Sequence, residues 1–110
     1  MNRIKFTLPD VGLREVKGLV YVHDGHLVLE VEDAIAGIVD TDKRTIEIEP
    51  EAVKHLYLKP GLFKHKLVIE PYGPELLDAL PGQHARAAEL RIWRTERPAI
   101  DSLIDEFESL

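Results

Sequence analysis

The segment from Lys59 to Lys66 carries the side chains with the clearest chemistry in this 110-residue chain. It reads KPGLFKHK, so three lysines and a histidine surround an apolar pair, Leu62-Phe63. Lysines beside exposed apolar side chains are typical of a contact with an anionic membrane surface or of a peptide-binding rim. The candidate binding residues are Lys59, Leu62, Phe63, Lys64, His65 and Lys66. In the alternative interpretation, Leu62 and Phe63 fold back onto the core and the lysines form a solvated edge.

A second candidate surface lies late in the chain, at Arg91 and Trp93. Alternation over residues 87–94 places these two side chains on the outer side of a strand, opposite Leu90 and Ile92. Exposed aromatic and arginine side chains are typical of protein interfaces. The alternative, that Trp93 packs beneath the loop at residues 82–86, is equally open.

Metal binding and catalysis have little support in the sequence. His23 and His26 flank a turn, but two imidazoles without a third ligand make a weak metal site, so exposed polar residues are the simpler interpretation. Cysteine is absent, both serines (Ser102 and Ser109) lie near the C-terminus, and His84 has no nucleophile beside it. We therefore predict no catalytic residues, no cofactor and no metal. An enzyme or small-ligand carrier with an unrecognised pocket is the third hypothesis for function.

The composition is ordinary for a globular protein, with 45% hydrophobic and 31% charged residues and a net charge of −6. An acidic chain has no long-range attraction for nucleic acid, although a local basic face can still act. No apolar run is long enough to suggest a transmembrane segment, and the N-terminus lacks the apolar core of a signal peptide. We expect one domain over residues 1–110, located in the cytoplasm.

The elements that must position these residues are mostly strands. Alternating apolar residues and turn signals predict strands at about 4–8, 16–23, 26–32, 45–49, 55–59, 63–70 and 87–94. A final helix is predicted over about 97–110, where Ile100, Leu103, Ile104, Phe107 and Leu110 share one face. Residues 34–39 fit either a brief strand or a packed loop. Pro60-Gly61 predicts a type II turn, with positive φ at the glycine.

The most informative hairpin turns at Asp24-Gly25, a pair that favours a type I′ turn. A two-residue loop fixes the register, so His23 is expected opposite His26, Val20 opposite Leu29, and Lys17 opposite Glu32. One face is then wholly apolar, apart from a gap at Gly18. These residues predict a mainly β (β-rich α+β) fold: about seven antiparallel strands in a bent sheet or partly open barrel, capped by one C-terminal helix.

From Val16 onward, the chain resembles the pleckstrin-homology (PH) superfold, most closely its GRAM-like and bacterial branches. The segments that carry the resemblance are GLVYVHDGHLVLE, TIEIEPEAVKHLYLKPGLFKHKLVIE and ELRIW running into the last helix. The resemblance implies a bent seven-stranded sheet capped by that helix, and a non-catalytic module that binds lipids, peptides or proteins. The basic cluster that phosphoinositide-binding members carry between their first two strands has no counterpart at the Asp24-Gly25 turn.

Two functional hypotheses therefore lead. The first is a cytoplasmic, non-catalytic interaction module that acts through protein–protein contacts, including contacts with copies of itself. The second is a module that binds a lipid headgroup or another anion through the hairpin from Lys59 to Lys66. Neither hypothesis involves nucleic acid.

Overall fold

The computed structural model describes residues 3–8, 14–35, 42–81, 84 and 86–110. Its strands are β1 (Ile4–Thr7), β2 (Arg14–His23), β3 (His26–Ile35), β4 (Asp42–Ile48), β5 (Val53–Lys59), β6 (Lys64–Pro71) and β7 (Ala88–Trp93). Two helices, α1 (Glu75–Ala79) and α2 (Arg97–Glu108), and 3-10 turns at Pro50–Ala52 and Arg94–Glu96 complete these elements.

The strands form one open antiparallel sheet. Within the described residues there are seven of them, in the order β4-β3-β2-β1-β7-β6-β5. Inward side chains of the two outermost strands, such as Ile48 and Leu56, belong to the same buried core. The sheet must therefore curl around that core, and the helix α2 follows it. This architecture confirms the predicted mainly β fold with a C-terminal helix.

The hairpin formed by β2 and β3 matches the predicted register. His23 pairs with His26, Val20 with Leu29, and Lys17 with Glu32. Asp24 and Gly25 have φ values of 50° and 73°, the positive angles that a type I′ turn requires at both positions. The inward residues of this hairpin (Val16, Val20, Val22, Leu27, Leu29 and Val31) are all buried.

The gap expected at Gly18 is filled by an aromatic ring. Gly18 pairs with Phe6 of β1, and a Cβ built at position 18 would lie 2.8 Å from the Phe6 Cζ atom. The same Cβ would also collide with the main-chain oxygen of Glu30. Glycine at this position therefore allows the close approach of β1 to the central hairpin.

The helix α2 closes the sheet with one apolar face. Ile100 and Leu103 are fully buried, while Ile104 and Phe107 are half-buried against the core. Leu110, which was expected on the same face, is 51% exposed because the helix ends at Glu108. The spacing of the apolar residues thus predicts the packed part of the helix correctly, but it extends the predicted apolar face past the end of the helix.

Two connections are only partly described. The turn at Asp24-Gly25 joins β2 to β3, and β1 precedes this hairpin, as predicted. Residues 9–13, between β1 and β2, lie outside the described residues. Within the ambiguous segment 34–39, residues 34 and 35 belong to β3, and the remainder also lies outside the described residues.

Candidate functional site

A row of cations crosses the outer face of the sheet. Consecutive register pairs join Lys59 to Lys66, Lys66 to Arg91, Arg91 to Thr7, and Thr7 to Lys17. Like charges directly opposite each other on neighbouring strands are destabilising. Three adjacent cations in one row are therefore unfavourable for folding, which makes this row a candidate for a role in binding.

Only part of this positive charge is neutralised within the face. The Glu89 carboxylate lies 4.0 Å from Lys59 Nζ and 3.8 Å from Lys66 Nζ. In the part of the chain that the structure describes, Lys5, Lys17 and Arg91 form no ion pair. The face therefore retains cationic groups that can pair with an external anion.

Apolar side chains project beside these cations at the end of the hairpin formed by β5 and β6. Leu62 is 73% exposed, Phe63 is 70% exposed and Trp93, next to them, is 59% exposed. Lys64 Nζ lies 4.6 Å from the centre of the Trp93 ring, within the range of a cation–π contact. The interpretation in which Leu62 and Phe63 pack back onto the core is therefore wrong, as is the one that buries Trp93.

Hydrogen bonds to Arg94 hold this tip in place. The Arg94 main-chain N–H donates to the Phe63 carbonyl at 3.2 Å, and its Nη1 donates to the Leu62 carbonyl at 3.2 Å. The apolar tip is thus tied to the end of β7, beside Trp93. Two segments distant in sequence make one surface.

The turn at Pro60-Gly61 differs from the predicted type II geometry. Gly61 does not have positive φ, and the last register pair before the loop is Lys59 with Lys66. The Gly61 N–H instead donates to His65 Nδ1 at 3.1 Å. The buried His65 imidazole serves as the turn's acceptor, so the connection is a wider loop rather than a tight turn.

A cleft opens between β1 and β7, which pair only at Thr7 and Arg91. The cleft has a volume of ≈ 500 Å³. Its charged lining residues are Lys5, Lys17, Glu32, Lys64 and Arg91, and its other lining residues include Phe6, Leu19 and Trp93. A second hollow of ≈ 540 Å³ borders Leu62, Phe63, Lys66 and Trp93. The two hollows share Lys64, Arg91 and Trp93, so they form one continuous surface.

We call this surface the basic–aromatic face. Its cations are Lys5, Lys17, Lys59, Lys64, Lys66, Arg91 and Arg94, its apolar members are Leu62, Phe63 and Trp93, and its carboxylates are Glu32 and Glu89. Seven of the eight binding residues predicted from the sequence lie on it, and His65 points inward instead. Lys5 and Lys17 were missed. Alternation already directed Lys5 and Lys17 outward, but nothing local indicated that β1 lies beside β7.

A separate cluster covers Tyr21 on the outer side of β2. The Arg3 guanidinium lies 4.4 Å from the Tyr21 ring centre and 3.2 Å from the Glu30 carboxylate. Tyr21 is consequently buried, although its strand position faces away from the core. Burial raises the pKa of the Tyr21 phenol, and the hydrogen bond with Glu30 and the negative charge of that carboxylate raise it further.

The histidines considered for metal or catalytic roles take part in local contacts. His23 Nε2 lies 3.3 Å from the Asp24 carboxylate, and His26 Nδ1 lies 2.8 Å from the Asp24 carbonyl oxygen. His84 Nε2 lies 2.9 Å from the Pro81 carbonyl oxygen. Among the described residues, no group of three or more histidines and carboxylates is arranged to hold a metal ion.

Comparison with protein-family models, curated proteins and solved structures finds no match to this chain. None of the helices in the described ranges has the length and apolar character needed to cross a membrane. The basic–aromatic face is therefore the feature from which a function can be inferred.

Proposed function

We propose that this protein is a non-catalytic binding module of PH-like fold that attaches to anionic membrane surfaces through the basic–aromatic face. The observation that carries the proposal is the exposed apolar tip, Leu62, Phe63 and Trp93, directly beside a row of cations. Interfacial membrane contacts combine these two elements: apolar side chains enter the headgroup region while lysines and arginines remain at the anionic surface.

The architecture supports the PH-like part of the proposal. The resemblance implies a bent sheet of seven antiparallel strands followed by a capping helix. The open antiparallel sheet, with β1 between β2 and β7 and α2 after β7, fits that expectation. A cytoplasmic location is part of the proposal, because anionic lipids give the cytoplasmic leaflet its negative surface potential.

Electrostatics favours an anionic surface over a symmetric contact between two copies. The face has seven cations against two carboxylates, a surplus of five positive charges on a chain of net charge −6. Two such faces brought together would repel each other. Against an anionic membrane, each surface cation contributes roughly 1 kcal/mol, and the burial of apolar side chains adds to this.

Co-sedimentation with vesicles tests the proposal. We expect the protein to bind vesicles containing phosphatidylserine and to leave neutral phosphatidylcholine vesicles unbound, with weaker binding at physiological than at low salt. Lys64→Glu should lower the affinity about 30-fold, because it changes two charges at roughly 1 kcal/mol each. Lys54→Glu is the matched control, since Lys54 is exposed but lies outside the face beside Glu70. Equal binding of the two variants, or no binding to anionic vesicles, would contradict the proposal.

A protein partner is the second candidate, and the exposed Trp93 beside Arg91 favours it. Self-association through this face would raise the mean mass with protein concentration and would be lost in Trp93→Ala. Salt separates the two candidates, because screening strengthens a contact between like-charged faces and weakens binding to an anionic membrane. Sedimentation equilibrium at low and at physiological salt measures the mean mass, for comparison with vesicle binding at the same two salt concentrations.

A further inference from the structure

The cleft between β1 and β7 is built differently from the exposed tip beside it. Two of its cations, Lys5 and Lys17, lie on the paired strands β1 and β2, and two others, Lys64 and Arg91, lie on the paired strands β6 and β7. Each stands on a different strand: β1, β2, β6 and β7. We infer that this cleft binds one multiply charged phosphate group, such as a phosphate monoester or a pyrophosphate. This inference adds a ligand class to the proposed function. Its extension to a lipid headgroup rests on that proposed function.

The charge balance of the cleft calls for a multivalent anion. Four cations and one carboxylate, Glu32, leave a surplus of three positive charges in a volume of ≈ 500 Å³. Lys5, Lys17 and Arg91 have no ion-pair partner in the described ranges. A singly charged carboxylate or phosphodiester would leave most of this charge uncompensated. A phosphate monoester carries close to two negative charges at neutral pH and several acceptor oxygens.

The cleft also has the geometry of a prepared site. Its volume lies within the roughly 300–1,000 Å³ typical of small-ligand sites. Arg91 supplies a planar guanidinium, whose paired N–H donors match two phosphate oxygens. Lys64 is already positioned by its contact with the Trp93 ring, 4.6 Å away. Strands hold the backbone of all four cations, so no loop has to become ordered on binding.

Calorimetric titration of the full chain with tripolyphosphate at low salt tests the inference, with inorganic sulfate as the weaker comparison anion. We expect saturable binding of one tripolyphosphate per chain. Lys5→Gln and Lys17→Gln should each weaken it about tenfold, as expected for loss of one charged hydrogen-bond donor. The control Lys59→Gln removes a cation from the same face but not from the cleft, and should change the affinity less than about twofold.

Vesicles distinguish a lipid headgroup from a free phosphate compound. The protein can be compared on vesicles of phosphatidic acid and of phosphatidylserine at matched surface charge. Tighter binding to phosphatidic acid, lost in Lys17→Gln, would identify the bound phosphate as a lipid headgroup. Tripolyphosphate binding without that preference would point to a soluble ligand. Both results support a phosphate site.

Failure of the inference can be separated from failure of the proposed function. Equal weakening by Lys5→Gln, Lys17→Gln and Lys59→Gln, or no saturable binding of tripolyphosphate, would overturn the cleft site. Phosphatidylserine binding that persists in that case would leave the membrane proposal standing. The variant Phe63→Ser provides the reciprocal test, since it should weaken vesicle binding and leave tripolyphosphate binding unchanged.

Discussion

Gly18 lies where two neighbouring groups leave no room for a side chain. Its position faces the Phe6 ring on one side and the Glu30 main-chain oxygen on the other. Because Phe6 is buried, its ring cannot move aside without disturbing the core. The contact is thus a packing requirement and involves no unusual backbone angle at residue 18.

Substitution of this glycine should therefore destabilise the fold. We expect Gly18→Ala to lower the free energy of unfolding by about 1–3 kcal/mol, the usual range for overpacking a core. Urea denaturation followed by tryptophan fluorescence measures the change. Gly73→Ala is the control, because a Cβ there meets only the flexible Glu75 side chain. A similar loss in both variants would contradict the packing explanation.

Tyr21 makes stability depend on pH in the alkaline range. Burial and the neighbouring Glu30 raise its pKa above the usual value of 10.0. Above that pH the unfolded chain loses the phenolic proton while the folded chain keeps it, so the unfolded state is increasingly favoured. The free energy of unfolding should fall as the pH rises past 10.0, and less steeply in Tyr21→Phe than in the native protein.

An exposed tyrosine provides the comparison for this effect. Tyr72 is largely exposed, so Tyr72→Phe is the matched variant that removes a tyrosine hydroxyl outside the buried cluster. Denaturation midpoints measured across the alkaline range give both slopes. Identical slopes for Tyr21→Phe and the native protein would rule out a contribution from Tyr21.

Among the elements, the helix α2 is anchored most deeply by two residues. Ile100 and Leu103 have no exposed surface, whereas Leu110 lies beyond the end of the helix and is half exposed. We expect Leu103→Ala to lower the free energy of unfolding by about 2–5 kcal/mol, the range for a buried cavity. Leu110→Ala should change it by less than about 0.5 kcal/mol. Thermal unfolding of the two variants tests this difference, and comparable losses would contradict it.

Local elements were the part of the fold that the sequence predicted best. Asp24-Gly25 defines the turn, and the register of β2 and β3 follows from a loop of two residues. The apolar period in the last helix similarly identifies Ile100 and Leu103 as core residues. In both cases the neighbours that decide the outcome are close in sequence.

The exposed tip was harder to predict because apolar residues normally favour burial. Leu62 and Phe63 lie in a loop that extends past the last register pair of β5 and β6. Their carbonyls accept hydrogen bonds from Arg94, which is distant in sequence. Nothing in the sequence of the hairpin indicates this distant hydrogen-bond donor, so composition alone could not decide between exposure and packing.

At the scale of the whole molecule, the cleft depends on the pairing of the first strand, β1, with the last strand, β7. Lys5 and Lys17 become neighbours of Arg91 only because β1 lies between β2 and β7. Strand alternation predicts which side chains face outward, but not which strands are adjacent when the connection is long. Of the residues that the sequence indicated, Lys64, Arg91 and Trp93 therefore line the cleft, and Lys5 and Lys17 join them through strand order alone.

Segregation of charge has a consequence for how the molecule would approach a negatively charged surface. The basic–aromatic face carries a surplus of five positive charges, so the rest of the chain carries −11. Such a molecule has a permanent electric dipole, and the field of a negatively charged surface exerts a torque on it before contact. It should therefore arrive already rotated, with Leu62, Phe63 and Trp93 leading and its acidic remainder facing away from the surface.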